Sequence, residues 1–170
     1  MTNQNEMKKP LIYFICTGNS CRSQMAEGWG RYLFGERIDF ASAGIEAHGL
    51  NPRAVQSMAE TGVDISHHQS SLIDQDLLMQ ADFAITLCGD ANDRCPVTPP
   101  SVRRLHWGFE DPARATGSEE EIMGKFHEVR NAIRERLEHF VQEEMERERV
   151  NPIRTSESLR FSLTDEKEGY

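Results

Sequence analysis

The apolar run Leu11-Ile12-Tyr13-Phe14-Ile15 passes directly into Cys16-Thr17-Gly18-Asn19-Ser20-Cys21-Arg22-Ser23, and that junction constrains what the rest of the chain can fold into. An apolar strand that breaks at a Gly-Asn pair and resumes as a helix start is the strand, loop and helix of an α/β sheet. Gly18 and Asn19 tolerate positive φ, so the loop's backbone N–H groups can turn inward, while the helix behind them adds its partial positive charge. Such a field favours the thiolate of a cysteine placed at Cys16. Arg22 brings a planar fork that takes two oxygens of a tetrahedral oxyanion at once, and Ser23 can donate a hydrogen bond to the sulfur. The candidate oxyanion set is therefore Thr17, Gly18, Asn19, Ser20, Cys21, Arg22 and Ser23, with Cys16 as nucleophile. The opposing reading is a buried strand-end cysteine beside a solvated arginine. It must treat the Cys-x5-Arg-Ser spacing, the Gly-Asn pair and the strand as coincidence.

At 170 residues the chain fits one domain, burying about two-thirds of its unfolded surface. No apolar stretch approaches the roughly 20 residues of a membrane span, and there is no signal-peptide pattern, so a cytoplasmic protein is expected. The formal net charge of −9 disfavours nucleic acid or an anionic membrane as partner. In a reducing compartment the four cysteines read as catalytic, redox or metal-binding groups. The six histidines, His67-His68 among them, show no ligand spacing and are expected at the surface.

Beyond the loop, Met25, Trp29, Tyr32 and Leu33 mark a helix over 24–35, followed by a short strand over 38–41 and a helix over 52–61 that stops before Gly62. A helix over 73–80 feeds a third strand over 83–87, which ends at Cys88; a fourth short strand falls within 102–109. Ser118 with Glu121 forms a capping box ahead of a long helix whose inner face holds Ile122, Phe126, Val129, Ile133, Leu137 and Phe140. These elements give a catalytic domain over 1–142. The charged and polar segment 143–170 reads as a mobile or loosely docked tail, with Ile153, Leu159, Phe161 and Leu163 as its apolar anchors. Alternating strands and helices predict a three-layer α/β fold, a four-stranded parallel sheet flanked by helices with right-handed crossovers. Ligands in such sheets sit at the carboxyl ends of strands, where Cys16 and Cys88 can share one site.

Cys95 follows Cys88 at a spacing of seven residues in a polar, glycine-containing segment. A regular helix between them would hold their Cα atoms about 10 Å apart, whereas a disulfide needs roughly 4.4 to 6.8 Å. The spacing suggests a switch: reduced, the segment keeps the thiols apart, and oxidised, it unwinds and presents a labile disulfide to an external reductant. Cys21, inside the loop, is expected to point away from the anion and to matter little. Asp111-Pro112 is either a turn or a loop acid that protonates a leaving oxygen.

The stretch from Cys16 through Ser23 to Trp29 resembles the signature of the thioredoxin-coupled arsenate reductases, and the similarity continues through Ser42-Ala43-Gly44-Ile45-Glu46, Thr86-Leu87-Cys88, Cys95-Pro96 and His106 to Pro112. That family is built on the low-molecular-weight protein tyrosine phosphatase fold. The resemblance implies arsenate as substrate: Cys16 attacks it, Arg22 and the loop amides stabilise its charge, and Asp111 helps an oxygen leave as water. It also implies that Cys88 releases arsenite by forming a Cys16–Cys88 disulfide, that Cys95 resolves this to Cys88–Cys95, and that thioredoxin reduces the result. No tightly bound cofactor is implied, and a monomer is expected. Some family members hold potassium through residues matching Asn19, Glu27 and Ser42 together with an aspartate. Here that aspartate is Ser71, and a neutral residue weakens such a site.

Two rivals remain. A low-molecular-weight tyrosine phosphatase would share Cys16, Arg22, Ser23 and Asp111, but Ala113-Arg114-Ala115 lacks the tyrosines such enzymes usually carry there, and Cys88 and Cys95 would be idle. A zinc-binding or arsenite-sensing module would use all four cysteines, yet the spacings 16 to 21 and 88 to 95 are loose for structural zinc and leave Arg22 beside a cation.

Overall fold

The apolar run forms β1 (Leu11–Cys16), buried from Ile12 onward because both its faces are covered. In the computed structural model, which describes residues 8–150, β1 is flanked by β2 (Asp39–Gly44) and β3 (Phe83–Thr86). With β4 (Arg103–His106) the order is β2-β1-β3-β4 and every pairing is parallel, as the alternation of elements predicts. Among the described residues five α-helices join or follow the strands: α1 (Arg22–Phe34), α2 (Pro52–Ala59), α3 (Gln75–Gln80), α4 (Gly89–Arg94) and α5 (Glu119–Val150).

Alternate residues of β1 divide between the two faces of the sheet. On one, Phe14 stacks on Phe40 and packs against Trp107, and Phe140 of α5 meets both Trp107 and Phe83 edge-on. Helices α1, α2 and α5 pack together on this side, with the Trp29 indole of α1 donating to the Arg130 carbonyl of α5. On the other face, the Tyr13 hydroxyl accepts from the N–H of Asp74, the N-cap of α3. Thr86, which pairs with Ile15, donates to Asn92 of α4. Helices on both faces make the expected three layers. Among the described residues no helix is long and apolar enough to cross a membrane.

Several boundaries differ from expectation. β2 runs to Gly44, beyond 41, because Ser42, Ala43 and Gly44 keep register with Phe14, Ile15 and Cys16. α3 starts at Gln75 because the Asp74 carboxylate accepts from Asp76 and Leu77 and fixes the start there. The capping box forms as predicted, with Glu121 N donating to Ser118 Oγ and Ser118 N to Glu121 Oε1. α5 then passes the expected boundary at 142 and absorbs the charged run: Val141 and Glu144 continue the buried stripe, and Glu144 pairs with Arg147 one turn on. Residues 151–170, the remainder of the expected tail with its apolar anchors, lie outside the described residues.

Candidate active site

The loop after β1 is held from outside by its carbonyls. Those of Cys16, Thr17, Gly18 and Ser20 accept from the N–H groups of Ile45, Glu46, His48 and Asn51, and that of Asn19 accepts from Gln24 Nε2 and Ser70 Oγ. In a trans peptide the C=O and the next N–H point in opposite directions. Drawing the carbonyls of 16–20 outward therefore turns the N–H groups of 17–21 toward the hollow of the loop. Asn19 supplies the bend, with φ of 50°. Gly44 makes room for it, since a Cβ there would meet the backbone of Glu46, Asn19 and Thr17.

Behind the loop, the fully buried Asn19 sorts the protons. Its Oδ1 accepts from Ser71 N at 2.9 Å and Gln24 Nε2 at 3.1 Å, so its amide nitrogen faces Ser23 Oγ at 2.8 Å and Ser42 Oγ at 3.1 Å. Each hydroxyl accepts from that NH2 and keeps its own proton to give. Ser42 donates to Glu27 Oε1 at 2.6 Å, and Ser23 Oγ lies 2.9 Å from Cys16 Sγ.

Arg22 closes the loop from the start of α1. Its Nη1 donates to the Phe109 carbonyl at 3.0 Å, its Nη2 lies 3.6 Å from Asp111 Oδ2, and its buried Nε has no hydrogen-bond partner. Asp111 forms the turn: Oδ1 caps the short 3₁₀ turn Pro112–Arg114 through Ala113 N, while Oδ2 faces Arg22.

From the end of β3, Cys88 reaches the same place. Its sulfur lies 3.2 Å from Thr17 Oγ1, which donates in turn to Asp90 Oδ2 at 3.1 Å. Cys88 is the N-cap of α4 and Cys95 its C-cap, so the segment between them is helical and the thiols stand at opposite ends. All four cysteines are free. Burial pushes the Cys95 thiol up, partly opposed by Arg104. Cys21, also buried at the cavity wall, is driven up to about 12 by burial and by the Asp111 charge, and it stays a thiol.

A cavity of about 740 Å³ gathers Cys16, Thr17, Gly18, Ser20, Cys21, Arg22, Cys88 and Asp111. Asn19 and Ser23 act from behind it, and Cys95 stands apart at the far end of α4. Sequence reasoning did not find His48, which lies over Gly18 at the cavity edge, or Asp90 and Glu110 in its wall. It also placed His68 at the surface. That ring is half-buried against Gln24 Oε1 at 2.9 Å, and burial pushes its pKa down.

The potassium set of the resemblance comes together, but with Arg31 in place it does not fit a cation. Asn19 presents its NH2 to Ser42, its oxygen is taken by Ser71 and Gln24, and Glu27 Oε2 holds Arg31 Nη2 at 2.7 Å. Among the described residues no cluster of His, Cys, Asp or Glu is arranged for a metal ion.

A loop of inward amides closed by a cysteine and an arginine, at the carboxyl end of a four-stranded parallel sheet, defines a class. Residues 11–151 match the family described as low molecular weight phosphotyrosine protein phosphatase, and the chain belongs to it. Two of its relatives in that family are arsenate reductases. It is 60% identical to the arsenate reductase of Oceanobacillus iheyensis over 79% of this chain and 96% of the relative. It is 58% identical to that of Bacillus subtilis strain 168 over 80% and 98%. Among solved structures, one described as an arsenate reductase in the phosphate binding state superposes with a TM-score of 0.65 at 32% identity, covering 79% of this chain and 98% of that one. The thioredoxin-dependent arsenate reductase of Corynebacterium glutamicum superposes at 0.61 with 28% identity, covering 79% and 63%.

Proposed function

We propose that this chain reduces arsenate to arsenite with Cys16, Cys88 and Cys95, and that thioredoxin supplies the electrons. The observation that carries this reading is the Cys88 sulfur, set in the same cavity as Cys16 and 3.2 Å from the Thr17 hydroxyl of the oxyanion loop. A phosphatase needs only the loop and an acid; a second thiol beside the nucleophile serves a redox step. The name shared by relatives at 58 and 60% identity agrees with it.

In this account the Cys16 thiolate attacks the pentavalent arsenic held by the amides of 17–21 and by Arg22, and one oxygen leaves as water with a proton from Asp111. The Cys88 thiolate then attacks the Cys16 sulfur. The S–As bonding pair passes to arsenic, arsenite leaves trivalent, and a Cys16–Cys88 disulfide remains. Cys95 attacks the Cys88 sulfur once α4 unwinds, freeing Cys16 as thiolate and leaving Cys88–Cys95 for the dithiol of thioredoxin to reduce. The protein works as a cytoplasmic monomer and needs no bound cofactor.

The test is arsenate turnover with thioredoxin, thioredoxin reductase and NADPH, set against glutathione with glutaredoxin. Turnover with the first set and not the second is expected. Hydrolysis of p-nitrophenyl phosphate with no arsenate turnover in either would favour the phosphatase reading.

A further inference from the structure

Glu27 lies behind the loop at 8% exposure, and a carboxylate so placed is costly without a positive partner. Oε1 accepts from Ser42, and Oε2 meets the guanidinium of Arg31 one turn along α1. Arg31 Nη2 also donates to the Phe40 carbonyl at 3.1 Å, which ties the guanidinium to β2 although its side chain is 55% exposed. A continuous path results, Arg31 to Glu27 to Ser42 to Asn19 to Ser23 to Cys16, with no link longer than 3.1 Å.

We infer that Arg31 is a positioning residue for Cys16: its guanidinium is the built-in counter-ion of Glu27, doing the work that the resemblance gives to potassium. Ser71 offers no carboxylate to a cation, and the Asn19 amide turns nitrogen, not oxygen, toward Ser42. With Arg31 in place the Glu27 carboxylate has a positive partner and accepts the hydrogen bond from Ser42. Ser42 can then accept from Asn19, and the fixed amide leaves the Ser23 proton to the Cys16 sulfur. Without Arg31, a nearly buried carboxylate must take up a proton or draw a cation from solution. The inference rests on Cys16 as the proposed nucleophile, but its test does not pass through arsenate.

Wild type, Arg31→Met and Arg31→Lys are compared in potassium chloride and in choline chloride at equal ionic strength. Two quantities are read: the melting temperature, and the rate of Cys16 alkylation by iodoacetamide at pH 7, located by peptide mapping. Wild type and Arg31→Lys are expected to behave alike in both salts. Arg31→Met is expected to melt several degrees lower in choline chloride and to alkylate at Cys16 about threefold more slowly or worse, with potassium recovering both. A wild type that gains stability or Cys16 reactivity from potassium overturns the inference. So does an Arg31→Met protein with wild-type alkylation, or one whose losses potassium does not recover. Should Arg31→Met fail to fold, the salt comparison of wild type and Arg31→Gln decides on the same criteria.

Discussion

The Thr17 hydroxyl stands between two partners from the other side of the cavity, 3.2 Å from the Cys88 sulfur and 3.1 Å from the Asp90 carboxylate. Because a carboxylate only accepts, the Thr17 proton is committed to Asp90 and its lone pairs face Cys88. The loop after β1 and Cys88 are thereby held in one geometry, although β1 and β3 bring them from distant parts of the sequence.

Thr17→Val keeps the shape and removes both bonds. One such hydrogen bond is worth about 1 kcal/mol, so arsenite release in a single turnover should slow roughly five- to tenfold. Alkylation of Cys16 should not change, since its contacts with Ser23 are intact. Rapid-quench measurement of arsenite decides it, and wild-type release would remove Thr17 from the step.

Asn19 carries two separable burdens, a left-handed backbone and a buried amide that serves Ser23, Ser42, Ser71 and Gln24. Asn19→Ala loses the bonds and adds strain, for an expected loss of about 2–4 kcal/mol in urea unfolding. Asn19→Gly loses the bonds alone and should be more stable than the alanine variant by about 1 kcal/mol. Equal stability of the two would mean that backbone strain plays no part.

The strand, the loop, the capping box and the inner face of α5 were legible because each is written in local pattern: an apolar run, a spacing, a periodicity of 3.6. What was not legible depends on distant partners. Ser42, Ala43 and Gly44 read as weak strand formers, yet register with Phe14, Ile15 and Cys16 makes them strand. His48 and Glu46 carry no local signal; they matter because their N–H groups hold the carbonyls of Gly18 and Thr17. α4 has only Ala91 buried, so no periodicity announces it. The charged run after Gln142 reads as tail by composition, whereas Val141 and Glu144 show that the buried stripe of α5 continues into it.

Cys21 gives the pH dependence a sign. Its thiol is raised from an ordinary value of 9.0 to about 12 by burial first and the Asp111 charge second. Between those values the unfolded chain loses the proton and the folded one keeps it, so stability falls as pH rises above about 9, by at most about 1.4 kcal/mol per unit. Cys21→Ala should flatten that decline in urea unfolding measured from pH 8 to 10.5. Peptide mapping after iodoacetamide treatment of the native protein at pH 8 should find Cys21 unmodified and Cys16 modified.

Cys88→Ser and Cys95→Ser should stop the proposed reaction at different stages, because Cys88 lines the cavity and Cys95 caps the far end of α4. Without Cys88 no thiolate reaches the Cys16–arsenic adduct, so arsenic stays on the protein and single-turnover release of arsenite is lost. Without Cys95 one equivalent of arsenite still leaves, and a Cys16–Cys88 disulfide accumulates because nothing in the protein resolves it. Both variants should lose multiple turnover driven by thioredoxin. The order also requires α4 to unwind, since a helix of this length holds its flanking cysteines about 10 Å apart and a disulfide spans at most about 7 Å. Far-ultraviolet circular dichroism of the wild type after one equivalent of arsenate should therefore show a loss of helix that Cys95→Ser does not show. If Cys95→Ser cycles normally with thioredoxin, or if mapping finds no Cys88–Cys95 link in the oxidised wild type, the relay is wrong and the cavity is a phosphatase site with an idle second cysteine.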